Sequence, residues 1–383
     1  MMPAIAVLSV VLILIILLDA FETIVLPRRV TRRLRLARFF YRITWVPGSA
    51  MARQISSSRR RESFLSFYGP LSLIMLLSLW ALGLILGFAA LHWSLGSSIN
   101  ALDGVHGFGT YVYLSGTTFF TLGYGDVTPR GTTGRALAIT EAGLGFAFLA
   151  LVIGYLPIIY QAFSRREAST ALLDARAGSP PSAAELLRRH GQNIQELDRL
   201  LLEWERWSAE LLESHLSYPV LCYYRSQHNN QSWLTALTAI LDTSVLVMVG
   251  VDGASKRQAQ LTFAMARHAI VDLAQIFNSP PREPKPERLP PDELIRLRAF
   301  LSSAGVELAA GAEADRRVSE LRRLYEPFVA PLAEFLFIPL PPWVPADHAY
   351  DNWQTSRWGR VSGLSQPPCS QTKEESKEEE EHF

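Results

Sequence analysis

The chain has 383 residues, 49% of them hydrophobic and 19% charged, with a formal net charge of +1. That is too apolar for an ordinary soluble protein and too polar for one that is mostly membrane, so a membrane part joined to a large aqueous part is expected. Only two cysteines occur, Cys222 and Cys369, which excludes a disulfide framework and a cysteine-based zinc site.

Residues 4–26 (AIAVLSVVLILIILLDAFETIVL) form the first of three stretches that meet the roughly 20 apolar residues a membrane helix needs. No basic leader or small-residue cleavage pattern accompanies it, and basic residues follow it, so a retained helix is expected over residues 1–27. Residues 28–62 carry Arg28, Arg29, Arg32, Arg33, Arg35, Arg38, Arg42, Arg53, Arg59, Arg60 and Arg61 against the single acid Glu62. The three-residue spacing of Arg29, Arg32, Arg35 and Arg38 resembles a voltage-sensor helix, but such a helix needs a bundle of companions. An interfacial helix is expected instead, with Val30, Leu34, Ala37 and Tyr41 facing lipid.

The second apolar stretch covers residues 64–91 and the third residues 134–160. No Lys or Arg lies between His92 and Asp126, whereas Arg165 and Arg166 follow the third stretch. The positive-inside bias then places the arginine-rich segment in the cytoplasm and the N-terminus outside. The result is a multi-pass protein of the cell (plasma or inner) membrane, with the region between the second and third stretches facing the exterior.

Residues 106–126 are too short and too polar to span. Thr118 to Asp126 read T-F-F-T-L-G-Y-G-D, the pattern T-x-x-T-x-G-Y-G. Backbone carbonyls turned toward one axis can replace the hydration shell of K⁺. Turning successive carbonyls the same way needs alternating backbone conformations that a Cβ resists, which suits Gly123 and Gly125. Tyr124 points away from the ion and can wedge the backbone against its surroundings.

The string resembles the selectivity filter of pore-loop potassium channels, of the two-transmembrane-helix, prokaryotic-like type. The resemblance covers residues 64–163 and implies K⁺ coordination by Thr121, Leu122, Gly123 and Tyr124, with Gly125 at the outer rim. It also implies a pore helix over residues 110–120, whose C-terminal partial negative charge favours a cation. Tyr111, Tyr113, Phe119 and Phe120 can form a collar around the filter; a plain core role is equally consistent. Thr117 and Thr118 stand as filter support. Thr117 replaces the acid many family members use there, and Leu122 replaces the more usual valine, departures that bear on filter stability rather than on the carbonyl cage. Asp126 closes the motif at the outer mouth, where copies around an axis concentrate cations; it also suits a turn cap. One chain supplies one filter strand, so a homotetramer in the lipid bilayer is expected.

Gly134 and Arg135 open the inner helix. Gly143, Gly145 and Pro157 are gating-hinge candidates, Gly145 at the family's hinge position, although glycine in membrane helices also serves close packing. Glu141 is a lone acid within the span, a position that suggests function or pairing with an arginine.

Residues 164–182, with Gly178-Ser179-Pro180-Pro181, read as a linker. From Ala183, Leu186, Leu187, Ile194, Leu197, Leu200, Leu201 and Trp204 recur at helical spacing. Further helices are expected near residues 228–249, 254–277, 291–309 and 313–327, giving an all-α cytoplasmic domain over residues 183–360. Residues 233–251 are apolar enough to raise a fourth span, but Asp242 and three threonines favour a buried core helix. The polar run from Tyr223 to Trp233 suits a loop capping a helix, or a ligand pocket. His268 and Asp272 share a helix face and read as a solvated pair or a metal pair. The acidic tail, residues 361–383, is expected to be disordered.

The fold expected is thus an all-α membrane protein, a potassium-channel pore module with an extra N-terminal helix and a C-terminal helical domain. Its function is passive, potassium-selective conduction, with K⁺ as permeant ion and no cofactor, open to gating by an unidentified ligand or protein at the cytoplasmic domain. No nucleic-acid partner is expected, and no catalytic constellation points to an enzyme. Alternatives are a membrane-tethered sensor with a vestigial pore, which leaves the intact glycines without a reason, and a K⁺-uptake transporter subunit, which would resemble several joined repeats.

Overall fold

A computed structural model describes residues 2–26, 35–101, 107–191, 193–228, 230–346 and 352. The chain divides into two compact units, one of Met1–Arg166 with Glu210–Ser226, the other of Glu167–Ala209 with Gln227–Phe383. Expectations for Arg28, Arg29, Arg32 and Arg33, for His106 and for the acidic tail lie outside the described residues.

In the first unit, α1 (Met2–Ala20) ends in a π-helical turn at Phe21–Val25 and packs along α3 (Ser58–Ser94). The seam is made by Gly83 and Gly87 of α3. A Cβ at either would stand 2.5 Å from Ile16 or 2.8 Å from Ile13, so this small-xxx-small pair is what lets α1 approach. Asp19, buried in α1, accepts from the Ala37 amide at 3.0 Å and from the Trp80 indole at 3.1 Å. An acid at the start of α2 (Leu36–Gln54) also complements that helix's dipole.

The lipid-facing stripe expected on α2 is corrected. Ala37 is buried and Tyr41 packs against the core, while Phe39, Ile43 and Val46 are the exposed apolar side chains. The register follows the Asp19 anchor, which the arginine spacing does not reveal.

The pore region is α3, β1 (Ile99–Ala101), α4 (Phe108–Phe119), β2 (Val127–Pro129) and α5 (Thr132–Ala177). β1 and β2 pair antiparallel, Ile99 with Pro129 and Ala101 with Val127. The linker expected over residues 164–182 is corrected, because α5 stays helical to Ala177 and only a turn at residues 178–181 follows.

The second unit is helical. The periodic stretch from Ala183 is two helices, α6 (Ala183–His190) and α7 (Ile194–Ser217), α7 running on into the first unit. α8 (Trp233–Gly250), α9 (Lys256–Ile276), α10 (Pro291–Ser303), α11 (Ala312–Arg322) and α12 (Glu326–Leu336) complete it. Among the described residues, four helices are long and apolar enough to cross a membrane: Met2–Val25, α3, α5 and α8. α8 is the exception in burial, enclosed on every face from Trp233 to Val247.

Its Asp242 meets Arg288 at 2.6 Å and bonds the Tyr325 hydroxyl. Arg288 also reaches Glu326 at 2.9 Å. Burial lowers the Arg288 pKa, but Asp242, Tyr325 and Glu326 together outweigh it and hold the guanidinium above its usual value.

Candidate functional site

The described pore segment begins at α4, whose N-cap is Gly107. Beyond Phe119 the helix ends tightly: Phe120 N–H donates to the Gly116 carbonyl, and Thr121 N–H to the Thr118 carbonyl at 3.0 Å. The Thr117 carbonyl accepts from Leu122 N–H at 2.8 Å and Gly123 N–H at 3.4 Å. Thr117 and Thr118 meet the following strand through their carbonyls, and the Thr117 hydroxyl is turned back onto the Tyr113 and Leu114 carbonyls, 3.0 Å from each.

From here the backbone alternates. Thr121, Gly123 and Gly125 have φ of 56°, 58° and 79°, while Leu122 and Tyr124 between them are not left-handed. Glycine takes this conformation freely, but for threonine it is strained. Such strain persists only where the surroundings impose it. Leu122 and Tyr124 are exposed in the single chain, at 53% and 69%.

Asp126 sits where the strand turns back. Its Oδ1 accepts from Val127 N–H at 3.0 Å, a turn cap, and its Oδ2 accepts from the Tyr113 hydroxyl at 2.7 Å. The second bond ties the outer end of the motif to the pore helix, and no spacing in the sequence announces it. The collar splits: Tyr111 and Phe119 are buried, whereas Tyr113 and Phe120 are exposed.

α5 meets the pore helix at Gly145, where a Cβ would lie 2.0 Å from the Phe119 carbonyl oxygen. Phe148 then packs on the Phe119 ring at 5.7 Å. Gly143 has nothing within 4 Å of an added Cβ, and Pro157 lies inside the continuous helix. Glu141 is buried against Ser115 and His92 rather than against an arginine.

At the other end of α5, the segment following α7 folds into the same unit. Arg166, almost fully buried, donates to the Leu221 and Tyr224 carbonyls at 2.8 Å each. Its Nη1 also lies 3.2 Å from His215 Nε2. Burial, with the Arg166 cation beside it, holds the His215 imidazole well below its usual range, so the neutral ring accepts at Nε2 and donates from Nδ1 to the Leu211 carbonyl at 2.9 Å. Tyr223 stacks among Tyr41, Trp45 and Tyr68, with centroids 4.8–5.8 Å apart. Tyr224 covers Gly69, where a Cβ would meet its ring at 2.7 Å.

The polar run that suggested a pocket therefore starts as a docked strap, Tyr223 and Tyr224 being anchors rather than lining. Exposed His268 and half-buried Asp272 lie 3.9 Å apart, and no group of three or more metal-ligating side chains occurs among the described residues.

Residues 74–162 match the family model described as an ion channel. The uncharacterized membrane protein YdjJ of Bacillus subtilis (strain 168) is 23% identical over 263 residues, 66% of this chain and 75% of that protein. Protein LctB of Bacillus caldotenax is 36% identical over 84 residues, 19% of this chain and 62% of that protein. Protein LctB of Geobacillus stearothermophilus is 52% identical over 42 residues, 11% of this chain and 31% of that protein. The matches to both LctB proteins thus span less than two thirds of their length, and no solved structure matches. The matched segment contains most of α3, all of the filter-like strand and α5 as far as Ala162, so residues 74–162 are an ion-channel module within an all-α membrane protein.

Proposed function

We propose that the protein is a homotetrameric, potassium-selective channel that passes K⁺ down its electrochemical gradient. The observation that carries this reading is the alternation of left-handed backbone at Thr121, Gly123 and Gly125 directly after a helix C-terminus. Alternation of that kind lets successive carbonyls face one axis, and a ring of such strands is a cage of neutral oxygens suited to a desolvated K⁺. Thr121, Leu122, Gly123 and Tyr124 coordinate the ion, Gly125 forms the outer rim, and Asp126 concentrates cations at the mouth. Exposure of Leu122 and Tyr124 in the single chain supports an assembly in which neighbouring copies cover them.

The arginine-rich segment sets the orientation, with the N-terminus outside and the second unit cytoplasmic. That unit gates the pore through the covalent path of α5 and the strap at residues 218–226.

Purified protein in liposomes tests the conduction reading. K⁺ flux well above Na⁺ flux is expected, and either equal permeability or no flux ends it.

A further inference from the structure

Behind the filter-like strand, three fully buried polar side chains meet from three helices: His92 of α3, Ser115 of α4 and Glu141 of α5. Ser115 Oγ lies 2.7 Å from the Ile85 carbonyl oxygen of α3. The same Oγ makes a second hydrogen bond, with Glu141 Oε1. Each of these oxygen–oxygen contacts needs a proton. A carbonyl brings none and a serine hydroxyl brings one. The serine's proton therefore lies toward Ile85, and the proton toward Glu141 belongs to the carboxyl group.

The surroundings agree with a neutral acid. Glu141 Oε2 and His92 Nε2 are 4.0 Å apart, beyond hydrogen-bond distance, and neither has another hydrogen-bond partner among the described residues. An ionised carboxylate so placed would be stripped of water with a single neutral donor in return.

His92 is the titratable group facing Glu141; its Nδ1 lies 3.2 Å from Ser97 Oγ. The pore-helix phenols Tyr111 and Tyr113 are engaged elsewhere, with the Ser97 carbonyl and Asp126. α5 has no other charged residue between Arg135 and Arg165.

This contact does not stand alone. Glu141 and Gly145 are four residues apart on α5, as are Ser115 and Phe119 on α4, so each pair shares a helix face. The polar bond and the Gly145–Phe119 close approach form a two-point seam between these helices. Phe119 is the last residue of the pore helix, immediately before the strand whose backbone alternates.

We infer that Glu141 is a positioning residue for the ion-selective strand, a neutral carboxylic acid that donates to Ser115, which in turn donates to Ile85, joining inner, pore and outer helices. This inference rests on the reading of residues 121–125 as a potassium filter. Nothing in the motif itself points to it, because the Glu141 contacts are with Ser115 of the pore helix and His92, outside residues 121–125.

The test uses the full chain as wild type, Glu141→Gln, Glu141→Leu and Ser115→Ala, reconstituted in liposomes for K⁺ and Na⁺ flux. An amide N–H can replace the acid's O–H, so Glu141→Gln is expected to keep the wild-type K⁺/Na⁺ ratio. Glu141→Leu and Ser115→Ala are expected to lower it by about tenfold, the scale on which one lost buried hydrogen bond acts. An infrared difference spectrum of wild type minus Glu141→Gln at neutral pH should show the carbonyl stretch of a protonated carboxylic acid. That arm stands even if the leucine variant does not fold.

A wild type that does not prefer K⁺ removes the filter reading, while the infrared result still decides the proton. Wild-type selectivity in Glu141→Leu, equal damage in Gln and Leu, or carboxylate bands alone would each overturn the inference.

Discussion

Gly143 and Gly145 look alike in the sequence, two glycines in an apolar helix, and the structure separates them. A methyl group at Gly145 would be driven 2.0 Å from the Phe119 carbonyl, which is backbone and cannot rotate away. Gly145→Ala is therefore expected to destabilise the pore by about 3 kcal/mol or more, in line with overpacking of a close contact. Loss of a monodisperse oligomer and of K⁺ flux is the readout. Gly143→Ala meets open space within the chain, should stabilise α5 by up to about 1 kcal/mol, and should conduct like wild type. Equal behaviour of the two variants would show that the Phe119 contact is not what fixes Gly145. The filter-like string was legible residue by residue, since Gly123 and Gly125 answer a local backbone requirement. The strained φ of Thr121 was not, because a β-branched residue gives no sign in sequence that it will be held left-handed.

At the level of elements, membrane helices were readable from length and hydropathy, but their mates were not. Gly83 and Gly87 pair α3 with α1, and Asp19 fixes the start of α2, contacts between residues far apart in sequence. The strap at residues 218–226 shows the same limit more sharply. Its tyrosines and Arg225 read as a polar loop, yet Arg166 closes two of its carbonyls and Tyr223 is enclosed by rings from α2 and α3. Arg166→Ala leaves those carbonyls without their donor and is expected to loosen the strap by about 2–4 kcal/mol. Amide hydrogen exchange in residues 218–226 should rise accordingly, with α1 unchanged. Unaltered protection there would mean that the aromatic contacts alone hold the segment.

For the whole molecule, the chain divides into two compact units, and the gating proposal is tested in the second. Arg288 is buried with Asp242 and Glu326; Glu326 keeps Arg322, but Arg288→Met leaves the buried Asp242 carboxylate without its cation and should cost the second unit about 3–5 kcal/mol. The expected outcome in planar bilayers is a changed open probability with an unchanged K⁺/Na⁺ ratio. An unaltered open probability in a variant whose second unit melts earlier would remove the gating proposal. By itself the sequence determined the membrane spans, the single pore motif and the helical character of the rest, because these depend on local composition, periodicity and backbone preference. Only the tertiary structure decided that α5 continues through the expected linker and that Ser115 and Glu141 meet behind the filter-like strand. Those outcomes depend on which surfaces find each other across long stretches of chain, and a one-dimensional pattern carries no record of that choice.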